Sequence, residues 1–324
     1  MAALLGASRL TPAQPGTERE TGRHDALALT HVTVVDVRTG ALRKDQTVVV
    51  EDHRITEVRA SRELKLPAKA RQVDGSGLFV MPGLWDMHVH LVFGEWFPRG
   101  EEISLPMFVA NGVTGVRDMG SDLEAVQQWR REIAAGKLVG PRIYTSGPML
   151  DGPQPRFPSS LPIRTDEDAR RAVDDLKRRG ADFIKLQSLI PRDGVLAIAE
   201  EAKKQGMAFE GHVPDATKAS EMSEVGMKSF EHLIGIFEGS SSAEEEFLKG
   251  GKSEGRFLAT YDSAHAEKLA ELLAKNHTWQ CPTLVWERGG NLMDVGSAAD
   301  RRAKYVPEAW ENVTWKRFRN EITS

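Results

Sequence analysis

The sequence predicts an α/β fold: a small N-terminal β unit, then a parallel (β/α)8-type barrel that stops short of its eighth strand. Three observations carry this. Residues 27–82 are a succession of short, β-branched, alternating stretches broken by turn residues. After Pro82-Gly83 the rhythm changes to apolar strands of four to six residues, most followed by an amphipathic helical stretch that ends at a glycine. Seven such steps are too many for a small flavodoxin-like sheet, and no G-x-G-x-x-G follows an early strand to mark a doubly wound one.

In order, ALALTHVTVVDVRTG gives a strand ending at a Thr39-Gly40 turn, and QTVVVEDHRITEVRA gives two strands across Asp52-His53. KARQVDGSGLFVMPG adds short extended pieces broken by Gly75 and Gly77. The repeat proper begins with GLWDMHVH and VTGVRDM (113–119), followed by a helix over 122–135 that Gly136 closes. PRIYTSG (141–147) leads into a Pro-rich loop through Pro162; Thr165 then caps a helix that stops at Gly180. ADFIKLQ (181–187), a helix over 193–205, MAFEGH (207–212), a helix over 215–225 and MKSFEH (227–232) continue the series. Residues 236–262 are rich in Gly, Ser and Glu and read as a flexible excursion. A helix over 264–275 precedes a seventh strand within HTWQCPTLV (277–285), and the charged C-terminal segment reads as helix interrupted at Pro307.

Composition narrows the function classes. With 40% hydrophobic residues the chain can bury a sizeable core, so disorder throughout is excluded. Its 43 basic residues are outnumbered by 47 acidic ones, which argues against a nucleic-acid binder working by overall positive charge. No stretch reaches the roughly 18 apolar residues of a membrane span. Cys281 is the single cysteine, so no internal disulfide can form. Residues 1–26 read as a disordered leader, or as the remnant of a signal sequence, so a cytoplasmic and an exported protein both stay open.

The chemistry lies at the strand ends. His88 and His90 are two apart at the end of a strand, which puts both imidazoles on one side and begins a transition-metal site. Alone, an H-x-H reads more readily as a surface or capping pair. Lys185, however, sits inside the apolar strand ADFIKLQ, where a bare ammonium is costly, and His212 and His232 end the next two strands. In a barrel these ends converge on one face.

The segment MPGLWDMHVH, the strand lysine and the two later strand-end histidines resemble the amidohydrolase superfamily. The stretch GHVPDA…EVGMKSFEHL (211–233) is most similar to its imidazolonepropionase-like and prolidase-like branch, and the resemblance runs from about residue 27 to about residue 290. It implies an incomplete composite domain over 27–82, β-sandwich-like, beside an incomplete metallo-dependent hydrolase barrel over 83–324. It also implies one or two divalent metals: His88 and His90 at the more buried one, His212 and His232 at the second, and Lys185, carboxylated from carbon dioxide, bridging both. Zinc suits such ligands best, while manganese, cobalt and iron stay open. A hydroxide between the metals would attack an amide or peptide C–N bond in an N-acyl amino acid, dipeptide or cyclic amide.

The chain departs from this pattern at its end. The family's strand-eight aspartate has no counterpart, since Asp294 and Asp300 follow no apolar strand, so the chain reads as truncated and its catalytic acid–base group is unassigned. Rival readings are a catalytically defective metal-binding fragment and a non-enzymatic binding protein. Asp86, Asp118, Glu210 and Glu231 are candidates to support the ligands, or plain caps and ion pairs. Arg99, Arg156, Arg164 and Arg192 lie in loops that could meet a substrate carboxylate, with the Trp96-Phe97-Pro98 loop as further lining. Val213-Pro214 follows His212 where several dipeptidase relatives carry an aromatic residue. The expected partner is a small amide or dipeptide, with neither nucleic acid nor membrane; a homo-oligomer stays open.

Overall fold

A computed structural model describes residues 2–5, 26–67, 69–92, 99–250, 254–285 and 308. The chain divides into two compact units, Met1–Trp85 with Met107–Gly115, and Asp86–Pro106 with Val116–Ser324.

The first unit is built on one mixed sheet. Its strands are β1 (Ala2–Leu5), β2 (Leu27–Val35), β3 (Leu42–Glu51), β4 (Arg54–Ala60), β5 (Arg71–Asp74) and β6 (Phe79–Pro82), in the order β1-β6-β2-β3-β4 with β5 also pairing β2. Strands β2 and β3 and strands β3 and β4 pair antiparallel, whereas β5 and β6 run parallel to β2. The β3–β4 turn places Asp52 and His53 at φ 45° and 63°, the left-handed geometry a tight two-residue hairpin needs. Leu29, Val32, Val48 and Val80 form the apolar core of this sheet. Two expectations change here. Among the described residues the strands make a single sheet rather than a sandwich. Within the expected leader, Ala2–Leu5 pairs antiparallel with β6, an edge its apolar run can extend; the rest of 1–25 lies outside the described residues.

The βα repeat forms two further sheets. β7 (Leu84–Val89), β8 (Val113–Asp118) and β9 (Arg142–Thr145) make a three-stranded sheet in that order. β10 (Leu150–Asp151), β11 (Leu161–Pro162), β12 (Phe183–Leu186), β13 (Ala208–Gly211), β14 (Ser229–Glu231) and β15 (Trp279–Cys281) make a sheet ordered β11-β10-β12-β13-β14-β15, parallel throughout. From β12 onward spatial order follows chain order, as in a (β/α)8-like barrel. Buried apolar residues on the strands, Ile184, Leu186, Phe209 and Phe230, join one core with Val173, Leu176, Val195 and Ile198 from the covering helices.

The helices follow their boundary chemistry. Asp166–Arg178 begins at Thr165, whose hydroxyl accepts from the Asp168 backbone N–H while the Asp168 carboxylate accepts from the Thr165 N–H. Leu123–Ala134 is capped by the Asp122 side chain. Arg192–Gln205 ends at Gly206 in the left-handed conformation (φ 65°, ψ 33°), with no side chain to strain it.

The structure also adds elements that sequence reasoning passed over. Helix Gly100–Ala110 precedes β8, its periodicity obscured by the internal Pro106. The Pro-rich loop contains the short β10 and β11. The excursion expected to be flexible holds three short helices, Ile236–Gly239, Glu244–Phe247 and Glu254–Thr260, anchored by the buried Phe247. Outside the described residues lie the Trp96-Phe97-Pro98 loop, Asp294, Asp300 and, apart from Glu308, the C-terminal segment.

Candidate metal centre

Strands β7, β12, β13 and β14 bring His88, His90, Lys185, His212 and His232 together. The His88 ring lies 5.3 Å from His90 and 4.5 Å from His232 between centroids, and His212 and His232 are 5.2 Å apart. Each imidazole is held through Nδ1, one by a carboxylate, one by a backbone carbonyl and two by hydroxyls. His88 Nδ1 meets Glu231 Oε2 at 2.7 Å and His90 Nδ1 donates to the Gly120 carbonyl at 2.9 Å. His212 Nδ1 meets Ser188 Oγ at 2.9 Å, and His232 Nδ1 meets Thr283 Oγ1 at 2.6 Å. When Nδ1 is fixed in this way, Nε2 is the nitrogen with which a ring takes a metal.

Burial keeps these rings neutral. It lowers His88 and His90 to about 4 and His232 to about 3, with the Lys185 charge adding to the effect, and it holds His212 well below the ordinary range. Lys185 is 1% exposed, between the buried Ile184 and Leu186, and its Nζ has no hydrogen-bond partner among the described residues. Desolvation brings its amine down to about 7, against the pull of Glu231. A chain that kept an unpaired ammonium here would carry a large penalty. Gly211, just before His212, makes room for it: at φ 132°, a Cβ on Gly211 would meet Leu186 O at 2.4 Å and Lys185 Cδ at 2.8 Å.

Beneath the histidines lies a buried ionic network centred on Arg117, a residue sequence reasoning passed over. Its signal was present, since a lone cation inside the apolar stretch VTGVRDM poses the same problem as Lys185. The guanidinium donates to Glu231 Oε1 at 2.7 Å, Glu210 Oε2 at 2.5 Å, Ser229 Oγ at 2.8 Å and the Met87 carbonyl at 2.7 Å. Glu231 is fully buried, and its carboxyl is brought down to about 2 against its own desolvation by His88, Arg117 and Lys185. Breaking such a buried pair by removing one partner typically costs about 3–5 kcal/mol. Two carboxylates share this one guanidinium, and burial raises the Glu210 carboxyl while Arg117 opposes that rise.

The other candidates fall outside this cluster or serve it locally. Asp86 accepts from the His88 backbone N–H at 3.1 Å, bracing the strand end. Asp118 is fully buried, and burial pushes its carboxyl up to about 6; it accepts from Ser121, Thr145 and the Leu91 N–H, so it pins the backbone just after His90. Arg99 pairs with Glu102 at the exposed surface, and Arg192 with the partly buried Glu221. Arg164 is exposed, and Arg156 packs its guanidinium 5.9 Å from the Phe157 ring. None of the four arginines is brought to the histidines by a contact in the described residues. Sequence reasoning also missed Ser188 and Thr283, short hydroxyls in loops that carry no pattern of their own.

The model of the Amidohydrolase family matches residues 79–293. An enamidase of Eubacterium barkeri is 33% identical over 87 residues, 26% of this chain and 22% of that protein. Ochratoxinase of Aspergillus niger is 26% identical over 232 residues, 54% of this chain and 46% of its own length. Among solved structures, a Bifidobacterium longum protein assigned as a prolidase superposes with a TM-score of 0.57 at 27% identity, covering 74% of this chain and 60% of its own. The chain thus spans less than half the length of the curated relatives it matches.

Proposed function

The chain belongs to the amidohydrolase family, and from that membership we propose that it is a metal-dependent hydrolase of amide or peptide C–N bonds. One observation carries the reading. Four neutral imidazoles, each fixed through Nδ1, gather with a buried lysine whose Nζ has no hydrogen-bond partner among the described residues. That donor set fits one or two divalent cations, zinc first by ligand type. His88 and His90 would hold one, His212 and His232 the other, and Lys185 would join them after carboxylation. In that step the neutral Nζ attacks the carbon of carbon dioxide, a C–N bond forms, one C–O π pair moves to oxygen and the amine proton leaves to solvent. The product is an anionic oxygen ligand in place of a buried cation.

A second trio, His88, Glu231 and Cys281, places ligand atoms within 4.8 Å of one another. It is the weaker site. Glu231 already serves Arg117, Ser229 and His88, and desolvation pushes the Cys281 thiol up to about 11, away from the thiolate a metal takes.

When bound, the metals supply an activated water at neutral pH and polarise the scissile carbonyl. The chain's own part is to keep the imidazoles neutral, fix their ring planes and exclude water beneath them. The relatives' names, enamidase, ochratoxinase and prolidase, support a small-molecule amide or dipeptide as substrate. The test is metal analysis of the purified chain after incubation with zinc and bicarbonate, with a hydrolysis assay on N-acyl amino acids and dipeptides. Up to two metals per chain and turnover are expected, with both lost in Lys185→Ala. Parental metal content in that variant would remove the bridging role; loading without turnover would reduce the chain to a metal-binding protein.

A further inference from the structure

Arg117 touches the region of His88 by two independent routes. Nε donates to the carbonyl of Met87, the residue before His88, at 2.7 Å, which fixes the backbone. The other route fixes the ring: NH2 donates to Glu231 Oε1 at 2.7 Å, and Glu231 Oε2 holds His88 Nδ1 at 2.7 Å. The remaining donor face, NH1, ties in Glu210 at 2.5 Å and Ser229 Oγ at 2.8 Å, and Ser229 itself donates to Glu231 Oε1 at 2.6 Å. One planar fork thus joins β7, β13 and β14 from its own place on β8, and it is 4% exposed. An ammonium could not do this, because a point charge on a flexible stem lacks the fixed directions of the guanidinium.

We infer that Arg117 is a positioning residue for the metal centre: it sets the backbone of His88 through Met87 and the plane and tautomer of its imidazole through Glu231. The inference rests on the reading that His88 holds a metal. Histidine ligands are generally oriented by a carboxylate on the other ring nitrogen, and losing that partner typically lowers metal affinity about 10–100-fold. Here the carboxylate is itself aimed by an arginine, so the dependence extends one residue further. Without Arg117, Glu231 Oε1 would lose its guanidinium donor and keep only the Ser229 hydroxyl.

The experiment compares the full chain with Arg117→Met and Arg117→Lys. Two-bond 1H–15N spectra of the metal-free proteins read the His88 tautomer, and titration with cobalt(II) alone reads affinity and the visible absorption of the bound ion. In the parent the Nδ1–H tautomer of His88 is expected to dominate. In Arg117→Met it gives way to a mixture, cobalt affinity falls about 10–100-fold and the absorption envelope changes. Arg117→Lys restores the charge and only part of the affinity. In a Glu231→Gln background the additional loss from Arg117→Met is smaller than in the parent, because the ring route is already cut. An unchanged tautomer and affinity in a folded Arg117→Met chain overturns the inference, as does full restoration by lysine. If Arg117→Met does not fold, Arg117→Lys and Glu231→Gln decide by the same readouts. A parent that takes up no cobalt or zinc overturns the metal-centre reading itself, and the positioning role with it.

Discussion

At the scale of single residues, buried charge was the most legible signal and also the one most unevenly read. Lys185 stands out in ADFIKLQ because the nearby Asp182, three residues away along a strand, points to the other face, and among the described residues its Nζ has no hydrogen-bond partner. Arg117 carried the same signal, but its partners Glu210 and Glu231 are 93 and 114 residues away, and sequence spacing cannot display pairing over that distance. Thr283 was less legible still. It is β-branched and sits at φ 48°, a conformation such residues rarely adopt, and its hydroxyl holds His232 at 2.6 Å. Strain kept at a contact with a ligand candidate points to a role in orientation. Thr283→Ala is therefore expected to weaken metal binding about 10–100-fold and Thr283→Ser to leave it near parental, as chelator competition would measure. Equal losses in the two variants would assign the effect to backbone strain instead of the hydroxyl.

At the scale of elements, boundaries written in local chemistry were readable and those set by packing were not. The helix opened by Thr165 and the one closed by Gly206 follow from capping residues whose groups act within four positions. Helix Gly100–Ala110 carries Pro106 and little periodic contrast, and β10 and β11 are two-residue strands made only by pairing. Thr165→Ala removes the hydroxyl from its capping box and is expected to cost about 0.5–2 kcal/mol of stability, readable as a lower urea midpoint with unchanged slope. Asp168 on its own still faces the positive end of the helix, so Thr165→Ser should recover most of the loss.

At the scale of the whole molecule, the family model's match to residues 79–293 covers the stretch in which the alternation of strand and helix was legible. What sequence could not convey was the shared electrostatic consequence of gathering so many bases in one dry place. Burial depresses His88 and His90 to about 4, His232 to about 3 and Lys185 to about 7, with His212 lowered as well. For each, the unfolded chain binds more protons than the folded one between the depressed value and the ordinary one. The contribution of these bases to the stability of the metal-free chain therefore rises with pH, through the histidine window from about 4 to 6.5 and the lysine window from about 7 to 10.5, while Asp118, raised to about 6, opposes it below that value. Denaturant melts at pH 7 and pH 9 should show this gain in the parent and a smaller one in Lys185→Met; a flat profile in the parent would contradict it.

Gly211 ties two of these positions into one unit of inheritance. Any side chain there would strike Leu186 O and the Lys185 stem, while the residue that follows is His212 itself. A side chain at position 211 therefore presses on the backbone of Leu186 and on the Lys185 stem at once, so one substitution reaches two neighbouring strands.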